Sequence, residues 1–280
     1  MQKVVIIGRA SYLAAGLQSH LENCAVSWLE FNDWRDNMPL LAEADWIINF
    51  AMSPVCYQKD MLEEELIDVQ IARCIKDFKA NYIFISSRKV YGQSSQCLCH
   101  KETDPLVGKD CYARNKIKTE QRLKEILSGR LTILRISNVL GEPVLRKGYK
   151  TFVGWICENF ISKGKVNVTQ NMSAVKDFVT KAFIHENIAE IIKHKILGTF
   201  NLSSGIGISV REVLAGYVGE ANLIDHGHQF PKEDQFILDN TLLSKYTGKT
   251  LTRKEIQQAL SSYHQQLEKI RRDCIITEQK

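Results

Sequence analysis

A chain of 280 residues, 44% hydrophobic and 25% charged, can bury the core of one large α/β domain with or without a smaller lobe. Its 37 Lys and Arg against 32 Asp and Glu leave a net charge of +5 spread along the chain, which argues against a nucleic-acid partner and suits a small anionic substrate. No apolar run approaches the roughly 18 residues of a membrane span, and Met1 leads directly into Lys3-Val4-Val5-Ile6-Ile7-Gly8, so a cytoplasmic protein with no membrane partner is expected.

The run Val4-Val5-Ile6-Ile7 predicts a buried strand ending at Gly8, followed by a tight turn and a helix through Leu17. Such a turn suits a dinucleotide pyrophosphate, because unpaired N–H groups at a helix N-terminus attract phosphate. Against the fingerprint Gly-x-x-Gly-x-x-Gly, the chain keeps Gly8 and has Ser11 and Ala14 at the other two positions. Gly8, Arg9, Ser11, Tyr12 and Leu13 are the cofactor-binding candidates of this turn. Val26 to Glu30 reads as the second strand, with Glu30 roughly 20 residues past Gly8, where an acid binds the adenosine ribose hydroxyls. Glu30 favours NAD, whereas Arg9 favours the 2′-phosphate of NADP, and the choice stays open.

Asp45 to Ala51 reads as a buried strand whose polar Asn49 lies at the carboxyl edge of a parallel sheet, where ligands bind. A helix-forming run follows from Leu62 to Phe78, and then the strand Tyr82 to Ser87 ends in two hydroxyls, Ser86 and Ser87. Tyr112 and Lys116, four apart, share a helix face. A phenol near pKa ~10 yields its proton at neutral pH only beside a stabilising cation, which Lys116 supplies in this reading. Ser87 can then share a substrate carbonyl oxygen with Tyr112; alternatively it caps the next helix.

Eight cysteines lack the spacing of a disulfide framework and read as reduced thiols. Cys97-Leu98-Cys99-His100 has one residue between its cysteines and no second cluster, so no metal is expected. His226 and His228 read as surface histidines, and Thr252 to Arg272 as a docked amphipathic helix presenting Leu260, Tyr263, Leu267 and Ile270.

The order of these motifs resembles the extended short-chain dehydrogenase/reductases, in particular the nucleotide-sugar epimerase/dehydratase/reductase group. The resemblance covers nearly the whole chain. It rests on the Gly8 turn, Asn49-Phe50-Ala51, Ser86-Ser87-Arg88-Lys89-Val90-Tyr91-Gly92 and Tyr112-x-x-x-Lys116. Arg135 to Gly141, Lys176-Asp177-Phe178-Val179, Gly198 to Leu202 with Ser209 to Glu212, and Asp239 to Lys245 continue the order. The resemblance implies a doubly wound parallel α/β sheet of Rossmann type over residues 1–165, whose last strand can return near 180–205, with residues 166–280 forming mainly a substrate lobe. It implies an NAD(P)H cofactor, with Asn49, Ala51, Ser86 and Lys116 added to the cofactor-binding set. Tyr112 would be the general acid/base, Lys116 would hold the nicotinamide ribose and depress the Tyr112 pKa, and Ser87 would polarise the substrate oxygen. Arg88, Lys89, Asn138 and Lys176 would meet a nucleotide-diphosphate sugar, and a homodimer is expected.

Dehydratases of the group carry an acid pair directly after the catalytic hydroxyl. Here Arg88 and Lys89 stand there, and cations cannot remove a carbon-bound proton, so 4,6-dehydration is not expected. A short chain and an eroded glycine turn favour reduction of a nucleotide-linked 4-keto-6-deoxy sugar, for a surface polysaccharide such as lipopolysaccharide O-antigen, over C4 epimerisation by the same Ser/Tyr/Lys set. A non-catalytic protein binding the dinucleotide or sugar nucleotide is the third reading.

Overall fold

The computed structural model describes residues 1–92, 99–143, 152–226 and 234–278, the side chains of 275–278 excepted. Six parallel strands form the main sheet in the spatial order Gly198–Leu202, Leu131–Ile136, Asn81–Ser87, Trp46–Asn49, Gln2–Ile7, Cys24–Leu29. Strand residues alternate between two buried faces, as a sheet covered on both sides requires. Val5, Ile7, Ile47, Tyr82 and Phe84 pack under the helices Ile67–Cys74 and Cys111–Ile126. Val4, Ile6, Ile48, Ile83 and Leu134 face the other way, onto the helix Lys181–His194 and a core that runs on into the C-terminal helices.

Gly198–Leu202 pairs in parallel with Leu131–Ile136, so the chain returns to the main sheet after its first excursion. A second sheet joins Gly207–Ser209, Val175–Thr180, Gln235–Leu238 and Cys99–His100 in that order, with Asn138–Leu140 paired to Val175–Thr180; only Asn138–Leu140 and Val175–Thr180 belong to that excursion. The C-terminal helix spans Arg253–Glu278, and its stripe of Leu260, Tyr263 and Leu267 is buried in the shared core.

Two expected helices differ. No α-helix follows Gly8: turns closed by Ser11 N–H to Gly8 C=O (2.8 Å) and Ala14 N–H to Ser11 C=O (3.1 Å) lead to a short 3-10 helix, Leu17–His20. Gly16 holds φ +92°, a left-handed conformation that breaks α-helical geometry just where a helix would have to extend. The Leu62 to Phe78 run divides into a 3-10 turn, Glu63–Glu65, and the α-helix Ile67–Cys74, because Leu66 between them is extended (ψ 109°).

Candidate active site

The sheet presents its carboxyl edge at Ile7, Asn49, Ser87 and Ile136, and the succession of strands reverses between Gln2–Ile7 and Trp46–Asn49. That crevice is where an open parallel sheet binds ligands. Gly8 sits in it with φ +94°, and a Cβ there would lie 2.6 Å from the Ala51 nitrogen. Only glycine permits this approach.

Asn49 locks the second wall. Its Oδ1 accepts the Ala51 N–H (2.9 Å), and its Nδ2 donates to Asp68 Oδ1 (2.8 Å). The Tyr82 hydroxyl donates to the same Asp68 oxygen (2.8 Å). Burial pushes the Asp68 carboxyl above its usual range, while the nearby Lys116 opposes the rise. Asp68 had no signal in the sequence, because its importance comes only from burial beside Asn49 and Lys116.

The turn itself is held from the C-terminal half. Tyr12 donates its hydroxyl to the Glu142 carbonyl (3.2 Å) and lies over Gly141, and the Lys181 ammonium stands 4.8 Å from the Tyr12 ring centre while pairing with Glu142 (2.7 Å). His185 Nε2 donates to the Leu13 carbonyl (2.7 Å), and burial keeps its pKa below the usual histidine value. The Leu13 amide donates to no described residue. A glycine that lets backbone approach backbone, with an unengaged amide beside it, fits the pyrophosphate of a dinucleotide. Arg9 and Glu30 are both exposed at the rim, brought side by side where the Gly8 and Arg9 amides meet the Leu29 carbonyl (2.8 and 3.3 Å).

Ser87 ends its strand and Tyr112 opens the helix Cys111–Ile126, which Asp110 caps by accepting the Ala113 N–H (2.7 Å). The Ser87 hydroxyl hydrogen-bonds the Tyr112 phenol, and it also accepts the Lys89 N–H (3.3 Å), so the pairing and the capping roles coexist. Lys116 is half-buried beside Tyr112. Its ammonium donates to the Ile85 carbonyl (2.7 Å) and lies 4.6 Å from the Phe84 ring centre and 5.8 Å from that of Tyr112. Burial lowers the Lys116 pKa and raises that of Tyr112 to about 12, the Ser87 bond notwithstanding. The expected depression of the Tyr112 pKa is therefore not found: desolvation outweighs a cation that is spent on a backbone carbonyl.

Ser86 points elsewhere, its hydroxyl donating to Glu120 Oε1 (2.6 Å). Glu120 forms a fully buried ion pair with Arg135 (2.7 Å), and Arg135 also donates to the Tyr91 hydroxyl (2.9 Å), which donates to Asn201 Oδ1 (2.6 Å).

Arg88, Asn138 and Lys176 gather on the lobe side. Arg88 Nε donates to Asn138 Oδ1 (2.9 Å), its guanidinium lies 5.0 Å from the Phe236 ring centre, and burial lowers its pKa although Asp177 and Asp234 are near. Asn138 donates in turn to the Asp177 carbonyl (2.7 Å), and Lys176 pairs with Asp234. Lys89 lies apart, exposed and paired with Asp110 (2.9 Å), 5.6 Å from the Tyr112 ring centre. Among the described residues no group of three His, Cys, Asp or Glu side chains converges as a metal site, and no helix is long and apolar enough to cross a membrane. Cys97 and His228 lie outside the described residues, and exposed His226 meets Asn167 Oδ1 (3.2 Å).

A parallel sheet with a glycine at its switch point places the protein in the Rossmann class of nucleotide-binding α/β folds. The chain belongs to the NAD dependent epimerase/dehydratase family, whose model matches residues 2–182. Among solved structures it is similar to a UDP-N-acetylglucosamine 4-epimerase from Methanobrevibacter ruminantium in complex with UDP-N-acetylmuramic acid: TM-score 0.81, 13% identity, 96% of this chain and 98% of that one. It is likewise similar to a dTDP-glucose 4,6-dehydratase from Bacillus anthracis in complex with NAD (0.77, 13%, 96% and 97%). RMD from Pseudomonas aeruginosa, complexed with NADPH, superposes over 96% and 99% at a TM-score of 0.74 and 17% identity. No curated protein matches the sequence. At these identities the likeness establishes the fold, and the two named reactions, 4-epimerisation and 4,6-dehydration, differ.

Proposed function

We propose that this chain is an NAD(P)H-dependent ketoreductase of a nucleotide-linked 4-keto-6-deoxy sugar, working in deoxysugar supply for a surface polysaccharide. The observation that carries the reading is Tyr112 hydrogen-bonded to Ser87, with the Lys89 ammonium 5.6 Å from its ring centre at a position where dehydration needs a carboxylate.

In this reading the Gly8 turn and the Leu13 amide receive the pyrophosphate, Asn49 and Ala51 shape the wall beside it, and half-buried Lys116 takes the nicotinamide ribose. The bound dinucleotide supplies the hydride. Ser87 orients the sugar carbonyl oxygen, and Tyr112 delivers a proton to that oxygen as it becomes a hydroxyl. A pKa raised to about 12 keeps the phenol protonated, which suits reduction. Arg88 and Lys176 attract the diphosphate sugar and Asn138 fixes the Arg88 fork.

One observation favours C4 epimerisation. Tyr12, Glu142 and Lys181 tie the cofactor turn to the C-terminal half, a closure that would help retain a dinucleotide through a full cycle. The test mixes wild type and Tyr112→Phe with NADH or NADPH and UDP-, dTDP-, CDP- and GDP-4-keto-6-deoxyhexoses, followed at 340 nm, a general detection wavelength for about any nicotinamide assay. The account predicts stoichiometric cofactor oxidation by wild type and a loss of roughly 10²–10⁴-fold in the variant. Unreduced sugars throughout would contradict it, and tight dinucleotide binding without turnover would point to a binding protein.

A further inference from the structure

A segment before the helix Ile67–Cys74 lies across the start of the catalytic helix, and it brings a second tyrosine onto the first. The ring of Tyr57 stacks on the ring of Tyr112 with centroids 4.7 Å apart and planes within 6°. Tyr57 ends a 3-10 turn, Pro54–Tyr57, whose N-cap Ser53 accepts the Val55 N–H. It remains 58% exposed, so a wish to bury its own ring does not explain the stack.

The helix that carries Tyr112 holds this segment in place. Asn115, three residues past Tyr112 and itself buried, donates to the carbonyls of Cys56 (3.0 Å) and Lys59 (2.9 Å) and accepts the Met61 N–H (2.9 Å). Arg114 grips Asp60 with both ends of its fork (2.9 and 3.0 Å), and Lys118 donates to the Met61 carbonyl (2.6 Å). A cavity of about 30 Å³ remains beneath, lined by Cys56, Asp68, Tyr112 and Lys116 among others. Three side chains of the helix, Arg114, Asn115 and Lys118, therefore fasten residues 56–61 to it, and their common result is the placement of Tyr57.

We infer that Tyr57 is a positioning residue for the reaction: its ring fixes the plane of Tyr112 and closes one face of the phenol to water, so that the hydroxyl stays aimed at Ser87. Rotation about the Cβ–Cγ bond leaves the phenol oxygen in place but swings the O–H bond, which lies in the ring plane; terminal aromatic torsions are broad, so a parallel ring at contact distance restrains that swing where the helix alone does not. Shielding one face also disfavours the phenolate, since the negative π-face of Tyr57 repels it and water is excluded. The raised pKa of Tyr112 agrees with this direction.

The inference rests on Tyr112 acting as proton donor in the proposed reduction, so its test has one arm with turnover and one without. Tyr57→Leu removes the ring and Tyr57→Phe restores it. In the keto-sugar assay, kcat should fall about tenfold in Tyr57→Leu, with KM within about twofold, and recover in Tyr57→Phe. The fall should come with an alkaline limb moved to lower pH. In the second arm, 13C-labelled tyrosine is titrated by NMR in apo protein, with Tyr112→Phe to assign the resonance. The Tyr112 phenol should titrate about one unit lower in Tyr57→Leu than in wild type or Tyr57→Phe, with CD spectra unchanged. An unmoved Tyr112 titration overturns the inference whatever the enzyme does. Equal kcat in wild type and Tyr57→Leu also overturns it, as does a loss that Tyr57→Phe fails to restore. Absence of turnover in wild type, with the titration shifted as stated, retires the ketoreductase reading and leaves the positioning of Tyr112 standing.

Discussion

The turn after Gly8 and the helix Cys111–Ile126 stand on the same crevice and are built by opposite means. The turn from Gly8 to Leu17 has no α-helix and owes its shape to partners far along the chain, Glu142, Lys181 and His185. The helix Cys111–Ile126 is regular and capped, tied to residues 56–61 on one side and to Arg135 through buried Glu120 on the other. The difference teaches where the two needs of such a site diverge. A proton donor must be aimed, which suits a rigid helix, whereas a turn that admits a dinucleotide needs an open backbone, which here is stabilised from outside.

Breaking the rigid side should cost most. Glu120→Leu leaves Arg135 charged and buried without its carboxylate, and removing one member of such a pair typically costs about 3–5 kcal/mol. Urea unfolding should show that loss at unchanged slope; a loss below about 1 kcal/mol would mean that Tyr91 and the Glu102 carbonyl already satisfy Arg135.

The open side should give up binding before stability. Gly8→Ala puts a methyl against the Ala51 nitrogen at a left-handed backbone position, a strain of about 1–3 kcal/mol. Dinucleotide affinity of the folded variant, measured by quenching of intrinsic fluorescence, should fall at least about tenfold. Equal affinity in the variant would remove Gly8 from the cofactor site.

The helix side was legible in the sequence because its chemistry is local. Ser87 ends an apolar strand, and Tyr112 and Lys116 fall on one helical face, so strand, spacing and helix each pointed to the same corner. The strands of the main sheet were legible for the same reason, as short β-branched runs. The turn after Gly8 reads as a helix in the sequence because the left-handed conformation of Gly16 and the grip of residues beyond 140 are tertiary facts. The Tyr112 pKa was expected low because spacing reveals a nearby lysine but neither the burial of the phenol nor the Ile85 carbonyl that engages the ammonium. Tyr57 and Asp68 carried no pattern at all: one matters through a stack and the other through burial, and both appear only when residues far apart in sequence meet.

The proposed ketoreduction ends in a reduced sugar that carries the hydride of the cofactor. The most direct measurement supplies NADH or NADPH deuterated at C4 of the nicotinamide and follows the product by mass spectrometry. With both C4 hydrogens replaced by deuterium, the account predicts one deuterium in each product molecule and one reduced cofactor oxidised for each product formed. An isomerised sugar without deuterium, formed with no net consumption of cofactor, would contradict it and make the chain an epimerase.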